Sequence, residues 1–537
     1  MIFEKLHVQS VLSGQRSNVK CNTPAFSSFH QLRSLPTMKL NMRTTVGFLL
    51  LGLLLLDYFY TLECKRWKRN VDETCHDADV LIFGAGMAGI TAGYTLGNND
   101  NGTNNFIILE AGEEIGGRVK SKVLEKSGAR IELGANWMHG IDPLQPEKHP
   151  LYSIAQECGG VQGFFMHTEF NTSFHFYNSS GAEITTSSEL QLRIKDWYAV
   201  EEKLASESLR RTKLGLPDIS VRKALEENNW IPQSPVDSVI EWMGIDFDYS
   251  YTPENTSLME NFPEPTYRDF GDPSRVMDFF VTDQKVGYAG VVQCVADRYL
   301  TSNDSRLHLQ SVVKEIVWND TCVCATTTEA GTLRRYCAPY AIATFSIGVL
   351  RAKTVKFTPD LPQEKQNAIN NLYDALYLKI FLEFEETFWQ TDVNYIFHAD
   401  PDRGHFFHFQ SLSQDLPGSN ILMATVTGRW ATAVYNQTTD ATKSQIMQVL
   451  RKVYGSQIPD PVGVTIPDWG INPFYMGMYS DFPPGYEHLR EDLVSHAGRV
   501  YFGGEATNDK YSAYVHGAYF SGIDAANQVI YSLRNDD

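Results

Sequence analysis

The sequence predicts an α/β protein, and three adjacent observations carry the prediction. The apolar run Asp79-Val-Leu-Ile-Phe83 reads as a short buried strand. Gly84-Ala85-Gly86-Met-Ala-Gly89 follows directly and opens a segment, 87–97, with apolar residues at helical spacing. After a polar loop, Phe106-Ile-Ile-Leu109 reads as a second strand, and it ends on Glu110, about 20 residues beyond the glycines. Strand, glycine turn, helix and strand form a βαβ unit. Gly84 permits the tight turn, Gly86 lets the backbone approach a pyrophosphate, and Gly89 permits close helix packing. The helix start offers N–H groups to phosphate charge, and Glu110 can accept hydrogen bonds from ribose hydroxyls. A lone G-x-G-x-x-G is weak evidence; its place between a strand and a helix, with the acid beyond, makes it a dinucleotide site.

Further elements follow in order. Residues 185–230 read as helical and charged, and 285–300 as a helix. Three stretches within 307–345 read as strands, the last being RRYCAPYAIAT. Residues 361–373 read as a helix, 376–384 as a strand and 440–455 as a helix. The chain ends in a strand (GRVYFGGE) and a helix within 498–533. With 537 residues, 43% of them hydrophobic, the chain can bury a large core in two or three domains or two interleaved ones.

Formal net charge is −18, and the first 64 residues are basic, so the remainder is more acidic still. Such a surface repels phosphate backbones and attracts small cations, which excludes nucleic acid as a partner class. Residues 46–56 (VGFLLLGLLLL), preceded by Lys39 and Arg43, read as a secretory signal core, too short for an ordinary span. Translation from Met38 or Met42 would give that signal a usual length; an uncleaved anchor is the alternative. Asn101, Asn171, Asn178, Asn255, Asn303, Asn319 and Asn436 head N-x-S/T triplets, consistent with a glycosylated secreted or luminal protein. Cys322, Cys324 and Cys337 lie close enough in an apparent hairpin for one disulfide, and no C-x-x-C pair points to a metal.

Beyond the glycine turn, Glu110-Ala-Gly-Glu-Glu-Ile-Gly116-Gly117-Arg118 resembles the E-x-x-x-x-x-G-G-R stretch of the flavin-containing amine oxidase superfamily. Gly134-Ala135-Asn136-Trp137-Met-His139-Gly140 is similar to its flavin-facing block. Arg499-Val-Tyr-Phe-Gly-Gly-Glu505 and Tyr514-Val515-His-Gly-Ala-Tyr-Phe-Ser-Gly522 resemble its C-terminal motifs. The resemblance spans 79–527 and is nearest to polyamine oxidases of the secreted plant type. It implies a Rossmann-like FAD-binding domain (77–150, 285–350 and 490–537) interleaved with an α+β substrate domain, a mixed sheet flanked by helices (151–284 and 351–489). It implies FAD held by Gly84, Ala85, Gly86, Gly89, Glu110, Arg118, Gly134, Ala135, Asn136, Trp137, Val312, Trp469, Glu505, Tyr514 and Val515. The attachment cysteine of monoamine oxidases is missing, since no Cys follows Cys337, so the FAD should be non-covalent.

The same resemblance makes Lys379, His139 and Tyr514 the catalytic candidates. Lys379, in Tyr377-Leu-Lys-Ile-Phe-Leu, matches the lysine that holds a water beside the flavin. Tyr249, Tyr377, Tyr479 and Trp469 match aromatic walls suited to methylene chains and ammonium groups, and Asp248 matches an acid that could pair with a distal ammonium. His139 departs from the secreted plant pattern, which carries glutamate there, so the side of cleavage stays open. The implied reaction is hydride transfer from the carbon beside a secondary amine of a spermine- or spermidine-type substrate, imine hydrolysis, and reduction of O2 to H2O2. The alternatives are another flavin amine or amino-acid oxidase or dehydrogenase, or a non-catalytic secreted FAD-fold protein. No stable membrane span is expected after signal removal, and the chain should be a monomer or weak dimer.

Overall fold

The computed structural model describes residue 75 and residues 77–535, apart from 167–169, 171–172, 264–268 and 487. The expected signal segment (1–64) and Asn171 lie outside the described residues. The expected βαβ unit is present as strand Val80–Phe83, helix Met87–Asn98 and strand Phe106–Leu109. Val80–Phe83 sits at the middle of a five-stranded parallel sheet. It pairs with Phe106–Leu109 on one side and Tyr340–Ala343 on the other, and Val500–Phe502 and Leu307–His308 form the edges. All four residues of the central strand are buried, as a parallel strand covered on both faces requires. Helix Met87–Asn98 packs on this sheet together with the C-terminal helix Val515–Asn535.

The run RRYCAPYAIAT, read as one strand, is two. Thr332–Ala338 belongs to a four-stranded sheet with Val312–Trp318, Val323–Glu329 and Lys356–Thr358, whereas Tyr340–Ala343 enters the parallel sheet. Pro339 separates them, because it has no N–H to give to a continuing ladder. The charged segment 185–230 likewise divides. Helix Ser188–Leu214 stops at Gly215, whose φ of +60° suits a left-handed cap, and Val221–Glu227 forms a second helix.

A six-stranded sheet, in the order Gly463–Thr465, Tyr377–Glu383, Ile421–Thr427, His408–Ser411, Tyr395–His398 and Phe174–Tyr177, forms the second layer system. Tyr377–Glu383 is an interior strand with all seven residues buried. A three-stranded sheet joins Trp137–Ile141 and Gly163–Met166 through Met277–Val281.

The six described cysteines form three disulfides, Cys75–Cys322, Cys158–Cys294 and Cys324–Cys337. One joins two of the three hairpin cysteines, as expected; the other two close 247 and 136 residues of chain, beyond the reach of local spacing. The sulfurs of Cys322, Cys324 and Cys337 lie within 4.8 Å of one another but are committed to these bonds. Asn101, Asn255, Asn303, Asn319 and Asn436 are exposed, and Asn178 is half-buried. Among the described residues no helix is long and apolar enough to cross a membrane.

Candidate active site

One cavity of about 640 Å³ runs from the glycine turn to the six-stranded sheet. At the turn end it is lined by Gly84, Gly86, Met87, Ala88, Glu110 and Arg118. A Cβ on Gly86 would meet nothing closer than 4.0 Å, so the bare backbone there opens onto the cavity. Gly89 does a different job: a Cβ would lie 1.9 Å from the Gly84 carbonyl oxygen, so it permits helix and turn to touch and does not line the cavity. Helix Met87–Asn98 starts at the cavity wall with no acidic residue in its first turn, which leaves its N-terminal charge uncompensated.

Glu110 is buried, and its carboxylate accepts the Ala85 N–H at 2.6 Å and the Gly112 N–H at 2.7 Å. Burial, opposed by these bonds, raises its pKa. Ala85 faces this acid and is absent from the cavity wall, contrary to the expected cofactor contact. Arg118 donates to Glu505 Oε1 at 3.0 Å and to the Met478 carbonyl at 2.9 Å. Glu505 Oε2 accepts from Ser480 Oγ at 2.6 Å and from the Ala513 N–H at 3.0 Å. Both reach the cavity, as do Gly134, Ala135, Asn136, Trp137, Val312 and Val515.

Toward the six-stranded sheet, Lys379 is 1% exposed and donates to the Gly134 carbonyl at 2.5 Å and to Asn136 Oδ1 at 3.0 Å. Desolvation lowers its pKa to about 7, against the charge of Glu132. Phe247, Asp248, Tyr249, Tyr377, Tyr479 and Tyr514 line the same end. Asp248 is pushed up to about 7 by burial and Asp278, against the pull of His139. Glu201, whose nearest charged influence is Asp248, is pushed by burial to about 8.

Trp469 departs from expectation. It is buried and lies outside the cavity, its Nε1 donating to the Leu133 carbonyl at 3.1 Å. A Cβ on Gly134 would sit 3.3 Å from its ring, so Trp469 backs the Gly134 segment and reaches neither cofactor space nor substrate space directly. Among the cavity residues that the sequence does not single out, two touch the catalytic candidates. Asp278 pairs with His139, Nδ1 to Oδ2 at 3.1 Å. His516 stacks on Tyr514 at 5.0 Å and lies 3.3 Å, nitrogen to nitrogen, from buried His149. Nothing local marks Asp278 in the sequence, whereas His516 stands inside the C-terminal motif two residues after Tyr514.

The profile of the flavin containing amine oxidoreductase family matches residues 87–530. The chain belongs to that family. A rice (Oryza sativa subsp. japonica) protein named Polyamine oxidase 7 is 34% identical over 464 residues, covering 83% of this chain and 93% of its own. Polyamine oxidase 1 of Zea mays is 34% identical over 465 residues, covering 84% and 90%. A solved structure of putrescine oxidase with putrescine bound superposes with a TM-score of 0.67 at 19% identity, over 84% of this chain and 99% of the other, and shows the shared fold. This family member is a flavin-dependent amine oxidoreductase, and its cofactor is FAD. The residues fit it: an open glycine cradle at a helix start, the buried acid Glu110 bonded to the Ala85 N–H within that turn, and a cavity within the usual size for a bound cofactor. All six described cysteines are in disulfides, so none of them offers a thiol for flavin attachment.

Proposed function

We propose that the chain is a polyamine oxidase, oxidising the carbon next to a secondary amine of spermine- or spermidine-type substrates and passing the electrons to O2 as H2O2. The observation that carries this reading is the wall facing Lys379. Phe247, Tyr377, Tyr479 and Tyr514 share one cavity end with Asp248 and Asp278. Aromatic faces accommodate a methylene chain and attract ammonium groups, and the carboxylates give a distal cation an opposite charge. The polyamine oxidase names of the rice and maize relatives support the same class.

Bound FAD supplies the two-electron acceptor and the reaction with O2. The protein binds the chain between aromatic rings, holds the reacting nitrogen beside His139, and presents Lys379 as a buried amine whose proton is exchangeable near neutral pH. The reacting nitrogen must be neutral, so activity rises with pH above neutrality.

A peroxide assay with spermine, spermidine and their N-acetyl derivatives tests the reading, and absence of both peroxide and flavin bleaching with every polyamine overturns it. Product analysis distinguishes 1,3-diaminopropane from spermidine or putrescine and so assigns the side of cleavage. We also propose a secreted, glycosylated protein; five exposed sequon asparagines support it, and a mass shift on glycosidase treatment of the native protein checks it.

A further inference from the structure

His139 sits on a strand that breaks its own register. Trp137–Ile141 pairs antiparallel with Met277–Val281, but the pairing slips between Met138 and Ile141, a β-bulge over His139 and Gly140. Gly140 takes φ +73°, a conformation that favours glycine. Bulges re-aim a side chain, and here the 36% of His139 left exposed opens into the cavity, with the Tyr514 ring 4.9 Å away.

One residue holds both halves of the bulge. Asp278, on the partner strand, accepts the Gly140 N–H through Oδ1 at 3.2 Å and meets His139 Nδ1 through Oδ2 at 3.1 Å. A carboxylate only accepts, so Nδ1 carries the hydrogen and Nε2, away from Asp278, is the nitrogen that gains or loses a proton.

We infer that Asp278 is a positioning residue for amine oxidation, which clamps the bulge and fixes His139 as the Nδ1–H tautomer so that neutral Nε2 accepts the N–H of the substrate amine. This rests on the amine-oxidising reading of the cavity. The pairing of a catalytic-site imidazole with an acid that sets its tautomer is a general device.

The charged and titratable groups around the imidazole come from four elements. Asp278 faces it from its own sheet, Asp248 from the helix Asp246–Tyr249, Tyr514 from the start of the C-terminal helix, and His149 from the residue before helix Pro150–Glu157. Burial, together with the charge of Asp278, raises the pKa of Asp269 beside it. Burial works against the imidazolium, but the charge and hydrogen bond of Asp278, with the charge of Asp248, outweigh it and raise the His139 pKa. Removing the Asp278 charge therefore lowers that pKa, and the acid limb of a rate that needs neutral His139 moves to lower pH.

The test uses FAD-loaded protein labelled with 15N-histidine, in wild-type, D278N and D278E forms, with H139N to assign the His139 signals. The expected result is an Nδ1–H tautomer in the wild type, loss of that preference with a lower titration midpoint in D278N, and a restored midpoint in D278E. In parallel, kcat/KM for the amine turned over should fall about tenfold or more in D278N, and its acid limb should shift down. A wild-type Nε2–H tautomer, or a D278N midpoint equal to wild type, overturns the inference. An equal loss of kcat/KM at every pH, with the tautomer unchanged, also overturns it, because that is the mark of a merely structural contact. Absence of turnover with any polyamine removes the polyamine reading alone, since tautomer and midpoint are read without substrate.

Discussion

Lys379 Nζ donates to the backbone carbonyl of Gly134 at 2.5 Å, across 245 residues of sequence. The lysine comes from the interior of the six-stranded sheet and the carbonyl from the glycine segment lining the cofactor cavity. Gly134 itself is in contact with Arg118, whose carbonyl oxygen would lie 1.8 Å from an added Cβ. The bond thus ties a buried amine to the chain segment that approaches both the turn and the substrate wall.

Replacing Lys379 with methionine keeps the stem and removes the charge and both hydrogen bonds. With a pKa near 7, the native amine changes protonation in the range where the enzyme works. Lys379→Met is expected to lower turnover by about 10²-fold, the low end for loss of a positioned proton-transfer group, while FAD is retained. Stopped-flow reduction by the amine and reoxidation by O2, measured separately over pH 6–9, locate the loss. Unchanged rates in both half-reactions would remove Lys379 from the mechanism.

Glu110 is the other buried group with a defined load. Its two oxygens satisfy the N–H groups of Ala85 and Gly112, one on each side of the turn region. Glu110→Ala leaves both donors without an acceptor, at a cost of about 1–3 kcal/mol each where water cannot replace it. FAD affinity should fall at least about tenfold, measured by flavin fluorescence on titrating apoprotein, and Glu110→Gln should fall less because one oxygen remains. Equal affinity in all three proteins would mean that the acid shapes neither the turn nor the ribose site.

The glycine turn, the acid and the succession of strand, turn, helix and strand were legible because their physics is local: backbone clearance at Gly86 and Gly89 is encoded by the missing side chain itself. Lys379 was legible only through its motif, since a lysine on an apolar strand does not declare its own burial. Asp278 was not legible, because its partner His139 is reached through strand pairing and a bulge that no short window encodes. Trp469 was misplaced for a related reason. An indole at the right point of the chain can stand in front of Gly134 or behind it, and packing against Leu133 and Tyr475 puts it behind. The strand break at Pro339 was in reach of the sequence, since a proline within an apolar run marks a sheet boundary.

FAD should leave the protein on acid precipitation or on unfolding in denaturant. Covalent attachment through a thiol needs a cysteine near the flavin, and the described cysteines are all spent in disulfides away from the cavity lining. Yellow colour in the supernatant after precipitation, with a protein mass equal to that of the chain without flavin, is the expected result. Flavin remaining with the pellet would require another attaching side chain.

Cys158–Cys294 should contribute more stability than Cys324–Cys337. The first closes 136 residues and joins the end of helix Pro150–Glu157 to helix Ala289–Asp297; the second closes 13 and links directly paired residues of neighbouring strands. On a chain-entropy basis a cross-link over roughly 15 residues is worth about 3 kcal/mol and one over roughly 100 about 4.7. The hairpin cysteines also keep their ladder hydrogen bonds when the sulfurs are removed, whereas the two helices would be held by packing and by the partly exposed Arg298–Glu157 ion pair at their ends. Double Cys→Ala variants compared by denaturant midpoint should therefore show the larger loss for Cys158/Cys294, by about 1–2 kcal/mol. The same order of loss should appear in the thermal midpoint, provided FAD occupancy is equal in both variants. A larger loss for the hairpin pair would mean that the neighbouring Cys75–Cys322 bond, whose Cys322 sulfur lies 3.8 Å from that of Cys324, depends on it.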